Sequence, residues 1–206
     1  MNIRHIRGSD SEFLAELSLR SFDRRDIMSK MGRSYLSEVF FPAVADDDSV
    51  FGRVADDNGS LLGYSLGFRN LHKFYARVRR EKLFQNTSVT LQRLISFHLT
   101  PFDLLNLLAS ETKIFGRAPS PSHYGPIALA AQMKGTPTGG ALILAISRVL
   151  LEDMASSGIN NCWGIADQRN KPSWRLMELL GFERLFEIRL FGKTDYMYGR
   201  DLLKTS

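Results

Sequence analysis

The chain has one cysteine, Cys162, in 206 residues. No internal disulfide can form, which excludes the stapled frameworks of small secreted domains and any cysteine-rich zinc module. Long apolar runs are also missing. The longest, such as Ala128–Ala131 and Ala141–Ile146, fall far short of the ~20 residues that a membrane span needs. Met1 to Arg7 holds no apolar h-region, so no signal peptide is expected and the cytoplasm is the default location. With 44% hydrophobic and 24% charged residues, the composition is that of an ordinary globular protein. It excludes a disordered tail, a collagen-like repeat and a charge-rich coiled coil. One domain over residues 1–206 is the expectation, since the length is generous for one and short for two.

The net charge of +5 is concentrated in one place. Residues 71–120 hold eight basic and three acidic side chains, so the other 156 residues sum to zero. Such a patch suits a phosphorylated cofactor, an acidic partner or a membrane surface. A nucleic-acid partner is disfavoured, because its binders spread basic charge more widely and interleave aromatics. A merely solvated helix face remains the plain alternative.

Periodicity predicts strand Ile3–Ile6, then helix Glu12–Phe22 capped by Ser9 or Asp10, then a helical stretch Ile27–Val44. Strands Ser49–Ala55 and Leu61–Phe68 flank Asp56-Asp57-Asn58-Gly59, a strong hairpin turn. Leu71–Phe84, Val89–His98 and Phe102–Phe115 have helical spacing and read as an inserted helical segment over about 71–120. After the loop Ala118–Ser122 comes a short strand, Ile127–Ala131, a turn over residues 132–140, and an apolar helix Ala141–Met154 stopped by Gly158. Strand Asn161–Ala166, helix Pro172–Leu180 ending at Gly181, and a hairpin of Glu183–Phe191 with Thr194–Leu202 complete the chain.

The turn Lys134-Gly135-Thr136-Pro137-Thr138-Gly139-Gly140 carries the chemistry. A helix N-terminus leaves backbone N–H groups unpaired and carries partial positive charge, which suits a pyrophosphate. Small residues let phosphate oxygens approach the backbone, and Lys134 adds a full charge. Neither the dinucleotide-binding fingerprint nor the Walker motif can be written over these residues.

About thirty residues later lies Asn170-Lys-Pro-Ser-Trp-Arg-Leu-Met-Glu-Leu-Leu-Gly-Phe182. With this pair of motifs, the chain resembles the GNAT superfamily of N-acyltransferases over most of Asn2–Leu203 outside the insertion. Residues 134–139 match that family's Arg/Gln-x-x-Gly-x-Gly/Ala acyl-CoA loop, and residues 170–182 its Asn-x-x-(Ala/Ser)…Gly-Phe helix. The resemblance implies an α/β (α+β) fold with a mixed, mostly antiparallel sheet flanked by helices. It implies acetyl-CoA or another acyl-CoA as cofactor, with the pyrophosphate held at Lys134, Gly135, Thr136, Thr138, Gly139 and Gly140. The pantetheine arm would pair with Ala128, Leu129 and Ala130, and Asn170 would contact the cofactor. A primary amine would attack the thioester, its carrier being a small molecule and an amino sugar among the options.

Two residues depart from the family pattern. Pro137 replaces the loop's first glycine and has no N–H, although its φ suits a first helical position. Met177 stands where many members place a tyrosine that protonates the departing thiolate, and a thioether cannot donate a proton. His123 is the candidate base, because histidine titrates near neutrality. Tyr196 and Tyr198, with Tyr124, are candidates for the missing acid; for each, packing is the competing role. Cys162 has no histidine near it in sequence and is not expected to be a nucleophile.

Three readings compete: an N-acyltransferase, a non-catalytic acyl-CoA-binding or interaction domain, and a nucleic-acid or membrane-surface module built on the basic insertion. The insertion is expected to form a lid on the acceptor side, with homodimer packing as its alternative.

Overall fold

The computed structural model describes residues 1–22, 27–81, 114–190 and 193–204. Its seven strands are β1 (Asn2–His5), β2 (Val50–Asp57), β3 (Ser60–Phe68), β4 (His123–Leu129), β5 (Asn161–Asp167), β6 (Glu183–Leu190) and β7 (Lys193–Asp201). They form one sheet in the order β1-β2-β3-β4-β5-β7-β6, antiparallel except for the β4–β5 pair. Asn58 and Gly59 both take positive φ, 52° and 87°, so the expected β2–β3 hairpin closes in two residues. In β4, two residues, Gly125 and Pro126, stand opposite the single Leu66 of β3. That bulge bends the strand in its first half.

The helices are α1 (Ser11–Ser21), α2 (Ile27–Tyr35), α3 (Phe41–Ala45), α4 (Leu71–Glu81), α5 (Pro137–Ser156) and α6 (Lys171–Leu179), with a π-turn over Leu36–Phe40. The continuous helix expected over Ile27–Val44 is broken at Gly32, whose φ of 80° is not helical. The caps expected at Ser9 or Asp10 are not made either. Asp10 closes a short 3-10 turn, where its carboxylate accepts from the Arg7 N–H and binds Arg4 at 2.8 Å.

Cys162 and Trp163 are neighbours in β5 but enter different apolar clusters, so the clusters lie on opposite faces of the sheet. On one face α5 presents Leu142, Ile146, Leu150 and Met154, four residues apart, to the sheet. Each such buried chain contributes about 1.5–3 kcal/mol. α6 adds Met177 to this face. The other face packs α1, the π-turn and α3 around Phe40, Phe41, Tyr64, Phe68 and Phe74, whose rings meet at 4.9–5.9 Å.

The first of the three insertion helices is α4, and its apolar residues Phe74 and Val78 are buried in this aromatic core. Val89–His98 lies outside the described residues, as does Phe102–Phe115 except for its last two residues, which are helical. Among the described residues no helix is long and apolar enough to cross a membrane.

Candidate functional site

β4 and β5 run parallel but meet at a single register pair, His123 with Trp163, beside a bond from the Trp163 N–H to the Ser122 carbonyl at 3.1 Å. Beyond this vertex they part, and the sheet holds a gap that opens toward their C-terminal ends. Because the strands are parallel, the helices that follow them, α5 and α6, begin at the same edge. Ala130 donates its N–H to Leu62 at 2.8 Å, so strand alternation turns Ala128 and Ala130 toward β3. Of the three residues expected to pair with a pantetheine arm, Leu129 faces the gap. Its carbonyl accepts from Ser21 Oγ at 3.2 Å.

α5 starts at Pro137, four residues before the expected Ala141, so the glycine-rich turn supplies the first turn of the helix itself. Thr136 is the N-cap. Its Oγ1 accepts from the Gly139 N–H and donates to the Met133 carbonyl, both at 2.9 Å. The Gly140 N–H bonds the Thr136 carbonyl at 3.0 Å. A Cβ at Gly139 would lie 1.9 Å from the Met133 oxygen, so that glycine is required by close approach. Gly135 holds φ +73°, a left-handed turn.

The expected cradle is thus divided. Gly139 and Gly140 have their N–H groups committed inside the turn. Among the described residues, the Gly135 and Thr138 N–H groups have no partner there. Lys134 Nζ reaches across to the carbonyl of Arg20, at the end of α1, at 2.9 Å. Asn170 is the N-cap of α6, accepting from the Ser173 N–H at 3.2 Å, and is exposed at the same edge.

The catalytic candidates fall on both faces of the vertex. His123 lies against Trp163, ring centroids 4.3 Å apart, and within 6.1 Å of Phe68. The residue is half-buried as a whole, but Nδ1 is enclosed and has no hydrogen-bond partner. Desolvation, opposed only in part by a backbone contact at Gly125, pushes its pKa down to about 3. The ring is therefore neutral, and much less basic than a general base tuned to neutral pH.

On the opposite face Met177, Tyr124 and Tyr198 share one cluster. A Cβ at Gly164 would meet Met177 Cε at 2.5 Å and the Tyr124 carbonyl at 2.9 Å, so Met177 packs directly onto the strand beside the vertex. The Tyr124 hydroxyl donates to Ser147 Oγ of α5 at 2.6 Å, and burial raises its pKa. Tyr198 pairs across β5 with Gly164; burial also raises its pKa, so the phenol keeps its proton at neutral pH. Tyr196 is half-buried and packs against the same cluster, its ring centre 6.4 Å from that of Tyr198 and 3.5 Å from the Arg184 guanidinium. Cys162 is 1% exposed and its thiol is pushed up to about 12 by burial, which holds it protonated.

Sequence reasoning passed over Trp163, whose indole Nε1 is also buried without a partner. Its position in an apolar strand gave no signal of this, because the orphaned nitrogen depends on what packs around it. A cavity of about 530 Å³ opens at the other end of β5, lined by Asn161, Cys162, Glu183, Arg200, Asp201 and Lys204. It is remote from the α5 N-terminus.

No family model and no curated protein matches the chain. Solved structures do. An acetyltransferase superposes with a TM-score of 0.62 at 13% identity, over 98% of this chain and 100% of its own. Aminoglycoside 6'-acetyltransferase type Ii gives 0.60 at 10% identity, over 100% of both chains. AAC(6')-Ib in complex with ribostamycin and coenzyme A gives 0.57 at 14%, over 97% of this chain and 92% of that one. At such identities the likeness concerns architecture. The parted parallel pair inside a mostly antiparallel sheet, with helices on both faces, is a GNAT-type acetyltransferase fold.

Proposed function

We infer that the protein is an N-acyltransferase, moving an acyl group, most simply acetyl, from acyl-CoA to a primary amine of a small molecule. The observation that carries this is the gap between β4 and β5 with two helix N-termini at its open edge. The gap can receive an extended arm as a strand, and the Gly135 and Thr138 N–H groups stand where the phosphates at the end of that arm would lie. The matched AAC(6')-Ib structure contains coenzyme A and an aminoglycoside, which supports an amine-bearing acceptor such as an amino sugar.

In this reading the amine enters from the face that carries α4. There Ile114, Phe115 and Ala118 pack on the aromatic core, and the basic insertion would help select the acceptor. Tyr198, protonated and beside Met177, is the phenol best placed to give the thiolate its proton.

Coenzyme A at millimolar concentration should raise the melting temperature by mass action. Gly140→Glu tests the phosphate site. A Cβ at Gly140 meets nothing within 4 Å, and an acidic side chain suits a first helical turn, so the fold persists while like charge repels the phosphates. The variant should lose the shift. Thiol release from acetyl-CoA over a panel of amines, amino sugars included, tests turnover. No shift with the wild-type protein refutes the cofactor. A shift without thiol release for any amine would favour a non-catalytic acyl-CoA-binding domain, a role that Pro137 and Met177 would suit.

A further inference from the structure

At the vertex two neighbouring rings each carry a nitrogen that nothing in the protein satisfies. Trp163 is 1% exposed and its Nε1 has no hydrogen-bond partner; His123 Nδ1 is in the same condition. The rings touch edge to face at 4.3 Å, and their residues form the one register pair joining β4 to β5. Trp163 belongs to the apolar cluster that holds Phe68, Phe74 and Met197, and the Phe68 ring centre lies 6.1 Å from that of His123. Buried polar groups are nearly always paired, so two orphans side by side at the closed end of a gap point to a ligand atom.

The chemistry of the two nitrogens selects that atom. Indole Nε1–H has a hydrogen and no lone pair, so it binds an acceptor and turns away an ammonium group. A neutral imidazole can carry its hydrogen on Nδ1 and donate as well. Two donors on touching rings in apolar surroundings suit an oxygen that is neutral at rest and gains negative charge during reaction.

We propose that Trp163 and His123 form the hydrogen-bonding site for the thioester carbonyl oxygen of the bound acyl-CoA. This rests on the acyltransferase reading above. From Ala130 at the open end of β4 to His123 is seven residues, about 23 Å of strand, so an arm laid along it from the α5 N-terminus points its acyl end toward the vertex. The amine nitrogen attacks the carbonyl carbon, a C–N bond forms, and the π pair moves onto the oxygen that the two donors hold. When that pair returns, the C–S bond breaks and sulfur leaves with its electrons. The nitrogen loses one proton and the thiolate gains one, giving an amide and free coenzyme A. His123 acts here as a neutral donor and not as the base. Both nitrogens are closed to water in the free protein, so the edge-to-face contact opens as the carbonyl enters.

Calorimetric titration with coenzyme A and with acetyl-CoA separates this site from the phosphate site. Wild-type protein should bind acetyl-CoA about tenfold more tightly than coenzyme A, one hydrogen bond's worth. Trp163→Phe should bring that ratio close to one and leave coenzyme A affinity within about twofold. Replacing Trp163 with benzothienylalanine, in a Trp174→Phe background, keeps the ring shape without the N–H and should act alike even if phenylalanine perturbs the fold. His123→Phe should lower the ratio, and His123→Asn, which retains a donor, should restore part of it.

Acetyl-CoA labelled with ¹³C at the carbonyl gives a spectroscopic check. Its stretch should fall in frequency on binding to wild-type protein and move back in the benzothienyl protein. An unchanged ratio and an unchanged carbonyl stretch in that protein overturn the proposal while leaving the cofactor in place. Failure of wild-type protein to bind coenzyme A at all removes the acyltransferase reading and this site with it.

Discussion

Gly139 and Gly140 are adjacent, identical and in the same helical turn, yet alanine should act on them in opposite directions. A Cβ at Gly139 would sit 1.9 Å from the Met133 oxygen and 2.8 Å from its carbon, where real Cβ contacts essentially never fall below 3.0 Å. The obstacle is backbone and cannot rotate away. Relief requires the turn or the start of α5 to shift by more than an ångström, which also breaks the bond between the Gly139 N–H and Thr136 Oγ1. Overpacking of this kind costs about 1–3 kcal/mol and a lost N-cap about 1 kcal/mol, against a gain of about 1 kcal/mol in helix propensity. Gly139→Ala should therefore destabilise by roughly 1–3 kcal/mol. At Gly140 nothing lies within 4 Å, so alanine keeps only the propensity gain, up to about 1 kcal/mol. For a chain of this size each kcal/mol moves the melting temperature by about 2–4 °C. Thermal unfolding followed by circular dichroism should place Gly139→Ala roughly 2–12 °C below the parent and Gly140→Ala slightly above it. Equal stability of Gly139→Ala and the parent would refute the close approach on which the turn is built.

Acid should loosen the anchor between β1, β2 and α1. Burial works against ionisation of Asp10, but the Arg4 guanidinium and the Arg7 N–H prevail and hold its carboxyl below the usual carboxylate range. The unfolded chain then takes up the proton first, so this stability is fully present above about pH 3.9 and is lost as pH falls toward the folded value. Urea midpoints between pH 3 and 7 should show a steeper acid decline for the parent than for Asp10→Asn, which should be the less stable protein at pH 7; parallel declines would refute the assignment. On α4, Arg77 binds Asp47 at 2.6 Å and the Ala43 carbonyl at 3.3 Å, whereas the Arg80 side chain is 82% exposed. Arg77→Ala should cost about 1–2 kcal/mol and Arg80→Ala less than about 0.5 kcal/mol, measured by the same unfolding. Equal effects would mean that Arg77 does not fasten the helix.

What the sequence determined by itself is what neighbours along the chain decide. Asn58-Gly59 turns a hairpin because both positions tolerate positive φ, and Gly158 and Gly181 end their helices at +84° and +74° for the same reason. The four-residue spacing of Leu142, Ile146, Leu150 and Met154 made α5 legible, and the paired motifs at residues 134–139 and 170–182 made the architecture legible. Tertiary structure decided the rest. α5 begins at Pro137 because Gly139 lets the backbone close on Met133, a contact that no propensity contains. Asp10 became an ion-pair partner rather than a helix cap because β1 brings Arg4 beside it. His123 looked like a base tuned to neutrality, but its basicity is set by Phe68 and Trp163, which folding delivers from two other strands. Trp163 carried no signal in the sequence, because its unpartnered nitrogen depends on what packs around it. Turn and helix signals are steric and local, whereas desolvation and unmet hydrogen bonds belong to the packed assembly, and the candidate chemistry of this protein rests on them.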